Sequence, residues 1–271
     1  MPALLDEIVA STRVRVAESK RAADLRAITR KAECHKPRGF RHSLLKAFAE
    51  TGVGVIAELK QASPSKGVIR ANLHVTPVAQ ELHRAGAAAL SVLTEPNYFQ
   101  GSLANLCEAS AATPLPCLRK DFIVDEFQLL EARAHGADAV LLIASVLPDE
   151  DLRGLYAKAR ALGLDVLCEV HDRVELDRVL QAGCDTVGVN SRDLRDFRVD
   201  LQGPIDLGNA MPANMLAVAE SGIRSAEDIS RLRIAGYKAF LIGESLMRAA
   251  SPGMALAALI SGAQQKTTFV M

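Results

Sequence analysis

Apolar residues along this chain gather into short runs that stop abruptly on a polar side chain. VIAELK ends at Lys60, PCLRK at Lys120, DVLCE at Glu169, TVGVN at Asn190 and LAVAE at Glu220. Runs this short and this rich in Val, Ile, Leu and Ala predict strands covered on both faces, as in parallel sheets. An unpaired charge at a strand tip is costly to bury, so these tips must meet water or a ligand.

A second pattern sets the spacing. Glycine precedes four further apolar runs: AGAAALSVL at Gly86, HGADAVLLI at Gly136, AGCDTVGVN at Gly183 and AGYKAFLIG at Gly236, at intervals of 50, 47 and 53 residues. Each interval suits two strand–helix units of roughly 25–30 residues, with a helix-terminating glycine before every second strand. The runs over Val53–Lys60, Pro116–Lys120, Leu164–Glu169 and Met215–Glu220 supply the strands between, making eight. Amphipathic stretches at Asp125–His135, Pro148–Leu162, Asp172–Gln181 and Ser225–Ile234 predict helices opened by Asp, Pro or Ser. This alternation predicts an α/β fold, a (β/α)8 TIM barrel whose strands present their carboxyl ends at one mouth. Residues 1–50 carry no strand signal. Apolar positions at Leu4, Leu5, Ile8, Val9, Leu25, Ile28, Leu44, Leu45 and Phe48 predict an N-terminal helical extension within a single domain over 1–271.

Composition narrows the function. With 49% hydrophobic residues in 271, the chain can bury a large core. Lys plus Arg balance Asp plus Glu at 32 each, so no global field draws nucleic acid or an anionic membrane, and a small-molecule ligand is expected. The expected assembly is a monomer or weak homo-oligomer. Residues 1–46 hold eleven Lys or Arg against five Asp or Glu, which reads as a solvated basic helix face or, more sharply, as a lid over an anionic ligand. Five cysteines without a Cys-x-x-Cys pair argue against a disulfide framework and point to a reduced, cytoplasmic protein. Asp6 and Glu7 stand where a secretory signal needs apolar residues, and no run approaches the roughly 20 residues of a membrane span.

Two formal motifs are set aside. Gly52-Val53-Gly54-Val55-Ile56-Ala57 matches a dinucleotide fingerprint, but it opens a strand instead of following one. Cys34, His35 and His42 lack a fourth metal ligand. His171, two residues after Glu169, reads as structural or supporting. Glu58 and Lys60, also two apart, share one strand face at the mouth. The following loop, Gln61-Ala62-Ser63-Pro64-Ser65-Lys66-Gly67, offers hydroxyls, a Lys and a Gly to an anion, on a backbone stiffened by Pro64.

Joined together, AELKQASPSKG closely resembles the first strand and loop of the indole-3-glycerol phosphate synthase family of the tryptophan pathway. The resemblance continues through LTEPNYFQGS (93–102), PCLRKDFIVDEFQLLEARAHGADAVLLI (116–143), LGLDVLCEVHD (162–172), VGVNSRDLRDF (187–197), VAESGI (218–223) and FLIGESLMR (240–248). It departs at Ser191, where many members have a second Asn, and at Glu244, where some have Ser. The resemblance implies a carboxy-lyase that closes a carboxyphenylamino ribulose phosphate to indole-3-glycerol phosphate, with no metal or organic cofactor. It implies Lys120 as the acid for ring closure, with Glu58, Lys60 and Glu169 serving dehydration and Asn190, Arg192 and Glu220 completing a polar ring. Phe99 and Phe122 would flank the aromatic ring, while Ser63, Pro64, Ser221, Gly222, Gly243 and Glu244 would surround the phosphate. Two alternatives stay open at this point: a lysine Schiff-base aldolase, and a non-catalytic barrel that binds a sugar phosphate.

Overall fold

Eight parallel strands close into a barrel: β1 (Gly54–Leu59), β2 (Ala89–Leu93), β3 (Cys117–Lys120), β4 (Ala139–Ile143), β5 (Asp165–Val170), β6 (Thr186–Asn190), β7 (Leu216–Glu220) and β8 (Ala239–Ile242). They are hydrogen-bonded in chain order, and β8 returns to β1 with Gly54 opposite Ala239. The structure, a computed structural model, describes residues 4–192 and 200–265. The segment Asp193–Phe197 of the family resemblance lies outside the described residues.

The predicted helices form with their first residues acting as caps. Asp125, Asp172 and Ser225 each accept a backbone NH of the turn they start, so the helices themselves run Glu126–Ala134, Arg173–Gln181 and Ala226–Ile234. Pro148 precedes the helix Asp149–Ala161. Gly86, Gly136, Gly183 and Gly236 all take left-handed backbone angles, with φ of 95°, 86°, 80° and 95°, and end the helices ahead of β2, β4, β6 and β8.

Alternation along each strand separates two cores. Outward residues such as Val55, Leu90, Val140 and Phe240 pack under the surrounding helices. Inward residues, among them Ile56, Leu118, Leu141, Leu167, Val218 and Leu241, fill the barrel. Register brings the polar tips level: Asn190 pairs with Glu220, Ile143 with Glu169 and Leu93 with Lys120.

The extension folds as three helices, α1 (Leu4–Ala22), α2 (Leu25–Cys34) and α3 (Phe40–Thr51), that reach both ends of the barrel. Phe40 and Leu44 of α3 are fully buried among the inward residues and plug the end opposite the mouth. Beside them, Asp138 is buried and accepts from Arg38, from the backbone NH groups of Arg38 and Cys117, and from His35. These contacts hold its carboxyl below the ordinary range despite burial, which pushes the other way.

The solvated reading of the basic extension holds for most of its cations, since Arg13, Lys20, Arg21, Arg26, Arg30, Lys31, Lys36 and Lys46 are exposed. Arg15 pairs with Asp121 at 3.3 Å, Lys20 with Asp125 at 2.9 Å and Arg41 with Asp185 at 3.6 Å. The part of α1 that overhangs the mouth is apolar, through Leu4, Leu5 and Ile8. Arg15, Lys20, Arg38 and Arg41 fasten the extension to carboxylates of the barrel, and the residues of α1 that line the cavity carry no cation.

Candidate active site

A cavity of about 610 Å³ occupies the mouth, and every site residue expected from the sequence lines it. Its polar floor is built from strand tips. Glu58 and Lys60 lie on one face as their spacing requires, with Lys60 Nζ donating to Glu58 Oε1 at 2.6 Å. Across the mouth, Lys120 Nζ lies 3.3 Å from Glu169 Oε2 and 3.6 Å from Glu220 Oε2. Asn190 Nδ2 donates to Glu169 Oε1 at 3.1 Å, so that carboxylate is held from the adjacent β6 as well as from β3, two strands away.

Burial makes these charges interdependent. It pulls the Lys120 ammonium toward deprotonation, but Glu169, Glu220 and Glu58 outweigh it and hold the group above its ordinary value. Burial raises Glu169 as well, yet Lys120 leads a set of groups that bring it below the ordinary carboxylate range. Glu220 is pushed up to about 8 by burial and by the adjoining Glu169, against the pull of Lys120. The site therefore holds a firmly protonated lysine between an ionised carboxylate and a neutral carboxyl, a distribution suited to proton transfer near neutral pH.

Two glycines give these side chains their room. A Cβ on Gly188 would overlap Glu220 Oε1, and one on Gly243 would overlap Glu58 Oε1. The side walls are apolar: Leu93, Leu141 and Ile143 join Phe99 and Phe122, whose ring centroids lie 6.3 Å apart at 44°. Phe99 ends a short turn, Pro96–Phe99, fastened by the Glu95 carboxylate on three backbone NH groups.

The rim opposite those aromatics is cationic. Ser221 and Gly222 take consecutive left-handed angles, φ 64° and 75°, after β7, and the short helix Glu244–Arg248 starts straight after Gly243. Strain at Ser221, which is not a glycine, fits a loop shaped for a ligand. Ser63 pairs with Gly67 in a two-residue ladder that folds the Ser63–Lys66 loop back over the mouth. Arg192 lies 3.5 Å from Glu244 Oε2, and Arg248 donates to Glu244 Oε1 at 3.1 Å. Lys66 and Arg224 also line this rim.

Sequence reasoning missed several contributors. Leu4, Leu5 and Ile8 come from a remote helix, so only their apolar spacing was visible. Asp121 lines the cavity but spends its carboxylate on Arg119, Thr94 and Arg15. Arg248 stood inside a quoted motif with nothing to mark its side chain as facing the rim, whereas Lys66 lines the rim as its anion-facing loop predicted. Ser191 replaces an amide yet is engaged: its hydroxyl donates to Glu220 O at 2.7 Å and tethers β6 to β7.

A sequence profile described as indole-3-glycerol phosphate synthase matches residues 5–259. The chain is 56% identical over 260 residues to the indole-3-glycerol phosphate synthase of Koribacter versatilis, covering 96% of this chain and all of that one. It is 48% identical over 264 residues to the enzyme of the same name from Variovorax paradoxus, covering 96% and 99%. Among solved structures, a 3-hexulose-6-phosphate synthase superposes with a TM-score of 0.61 at 17% identity over 78% of this chain and 98% of that one, a likeness of fold alone.

Proposed function

The chain belongs to the indole-3-glycerol phosphate synthase family, the carboxy-lyases of tryptophan biosynthesis, and from that premise we propose how the residues of its mouth divide the reaction. The substrate is 1-(2-carboxyphenylamino)-1-deoxy-D-ribulose 5-phosphate; the products are indole-3-glycerol phosphate, carbon dioxide and water. The observation that carries the division is the pair of lysine–carboxylate contacts facing one cavity, Lys60 with Glu58 and Lys120 with Glu169 and Glu220.

Lys120 is the acid of ring closure. As the aryl carbon bonds to C2′, negative charge grows on the carbonyl oxygen, and the Lys120 ammonium stabilises and then protonates it. Loss of carbon dioxide returns the bond pair to the ring and restores aromaticity. Lys60 then gives a proton to the departing C2′ hydroxyl, and Glu169 removes the proton from C1′ that completes the indole. Glu58 holds Lys60 in place by accepting its hydrogen bond, and Glu220 with Asn190 and Arg192 orients the sugar and the lysines. The carboxylates around Lys120 keep it protonated, which suits an acid and not a Schiff-base nucleophile.

Phe99 and Phe122, with the leucines below them, flank the aromatic ring. The phosphate sits against Ser63, Ser221, Gly222, Gly243 and the first NH of Glu244, with Pro64 stiffening the loop beside it. The protein works without a metal or organic cofactor, as a cytoplasmic monomer or weak homo-oligomer, with neither nucleic acid nor membrane as partner. Among the described residues no helix is long and apolar enough to cross a membrane.

Two variants test the division. Lys120→Ala is expected to abolish indole fluorescence from the carboxyphenylamino ribulose phosphate. Lys60→Ala is expected to accumulate a species that has lost carbon dioxide but kept water, detected by mass spectrometry after rapid quenching. Identical product profiles for the two variants, or a borohydride-trapped substrate adduct on either lysine, would sink the assignment.

A further inference from the structure

His171 follows β5 and, two positions beyond Glu169, returns to the same face of the strand. Its ring is held from behind. Glu175 Oε2 lies 3.1 Å from Nδ1 and also accepts the His171 backbone NH at 2.8 Å. Glu175 is itself fixed in the first turn of the helix Arg173–Gln181, where its own NH donates to Asp172 at 2.9 Å. The other ring nitrogen, Nε2, is buried, makes no hydrogen bond, and faces Glu169 Oε1 at 3.6 Å.

That arrangement fits one protonation state of the ring. A neutral imidazole giving its Nδ1–H to Glu175 would turn a lone pair toward the Glu169 carboxylate, two electron-rich atoms facing each other away from water. A ring protonated on both nitrogens points one N–H at each carboxylate.

We propose that His171 is a positioning residue of this site: held as an imidazolium by Glu175, it fixes the Glu169 carboxylate opposite Lys120. This rests on Glu169 being the base named above. Among the described residues, the charged groups acting on the ring are Glu169 from β5, Glu175 from the following helix and Glu220 from β7, with Lys120 on the far side of Glu169. Burial draws the imidazole pKa down, and these three carboxyls outweigh it, leaving the ring above the ordinary histidine value.

The test is kinetic and spectroscopic. His171→Gln keeps a neutral donor but removes the charge, and is expected to lower kcat roughly tenfold with KM nearly unchanged. The acid limb of its kcat–pH profile should move to higher pH, because Glu169 without its neighbouring cation takes up a proton more readily. Glu175→Gln should move the limb in the same direction by less. In the wild-type enzyme, the nitrogen-15 resonances of the His171 ring should report both nitrogens protonated at pH 7.5, a readout that does not depend on any variant folding. A loss of kcat with an unmoved pH profile, or a neutral ring at pH 7.5, overturns the proposal. Glu169→Gln separates the two levels: if it stays active, the assignment of the base fails, whereas an inactive Glu169→Gln beside a neutral His171 refutes only the positioning role.

Discussion

Glu220 illustrates what a buried carboxyl at the mouth costs its fold. Its carboxyl is raised to about 8 by burial and by Glu169, so the folded protein keeps a proton there that the unfolded chain has released. Between the ordinary carboxylate value near pH 4.3 and about pH 8, the unfolded state binds fewer protons, and stability falls as pH rises. Glu220→Gln should therefore be more stable than wild type above about pH 8 and close to it below pH 4.5, by urea denaturation, while losing activity; a difference that does not grow with pH would count against the raised value. Glu244 makes the complementary case at the rim. Arg192, Arg248 and Lys66 hold its carboxylate below the ordinary range against the opposing effect of burial, so a fixed anion stands beside the proposed phosphate seat. Glu244→Gln is expected to lower KM by about three- to tenfold with kcat little changed, in steady-state kinetics; a higher KM would mean that Glu244 serves to aim the arginines. At this scale the sequence was legible where a charge ended a strand and opaque where two charges adjoined. Arg119 and Lys120 are neighbours on opposite faces of β3. Lys120 meets the cavity of the mouth, while Arg119 is wholly buried outside the barrel on Thr94, Asp121, Glu131 and Gln128 O, and only the partners' positions in space distinguish them.

Strands and helices were legible because each carries its own period and caps, and their observed ends differ from the expected ones mainly by the capping residues. What one element does to another was not. Gly188, mid-strand in β6, looks like an ordinary weak point for a strand, but its missing side chain is the space that Glu220 of β7 fills. Gly188→Ala is expected to displace Glu220, cutting kcat by more than roughly tenfold and lowering stability by about 1–3 kcal/mol; full activity in this variant would show that the carboxyl can relocate without loss. The knot at the opposite end follows the same logic. Removing Arg38 strands a buried carboxylate with only backbone NH groups and His35, and Arg38→Ala should cost about 3–5 kcal/mol in chemical denaturation. Because the Asp138 pKa lies below its ordinary value, the stability it contributes is complete above about pH 4 and is lost as pH falls through the folded value. The variant should therefore show a shallower loss of stability in acid.

For the whole molecule, extension and barrel share one interior: Phe40 and Leu44 from α3 sit among the inward residues of the strands, and α1 completes the wall of the mouth. We propose on that ground that residues 1–271 unfold as a single domain, and expect fluorescence and far-ultraviolet transitions in urea to coincide; a separate early transition for the extension would contradict it. Closure carries a further consequence, in the order of synthesis. Gly54–Ala57 of β1 find their second partner only in Ala239–Ile242, almost the whole barrel later in the chain. While the ribosome is still making β2 to β7, β1 has an unpaired edge and the plug from α3 has no finished ring to fill. Glu58, on β1, cannot face a complete mouth until β8 docks beside it. A nascent chain halted before Ala239 is expected to be sticky and inactive, not partly active, and pulse proteolysis of stalled chains should show protection of β1 appearing only once Ile242 has cleared the exit tunnel.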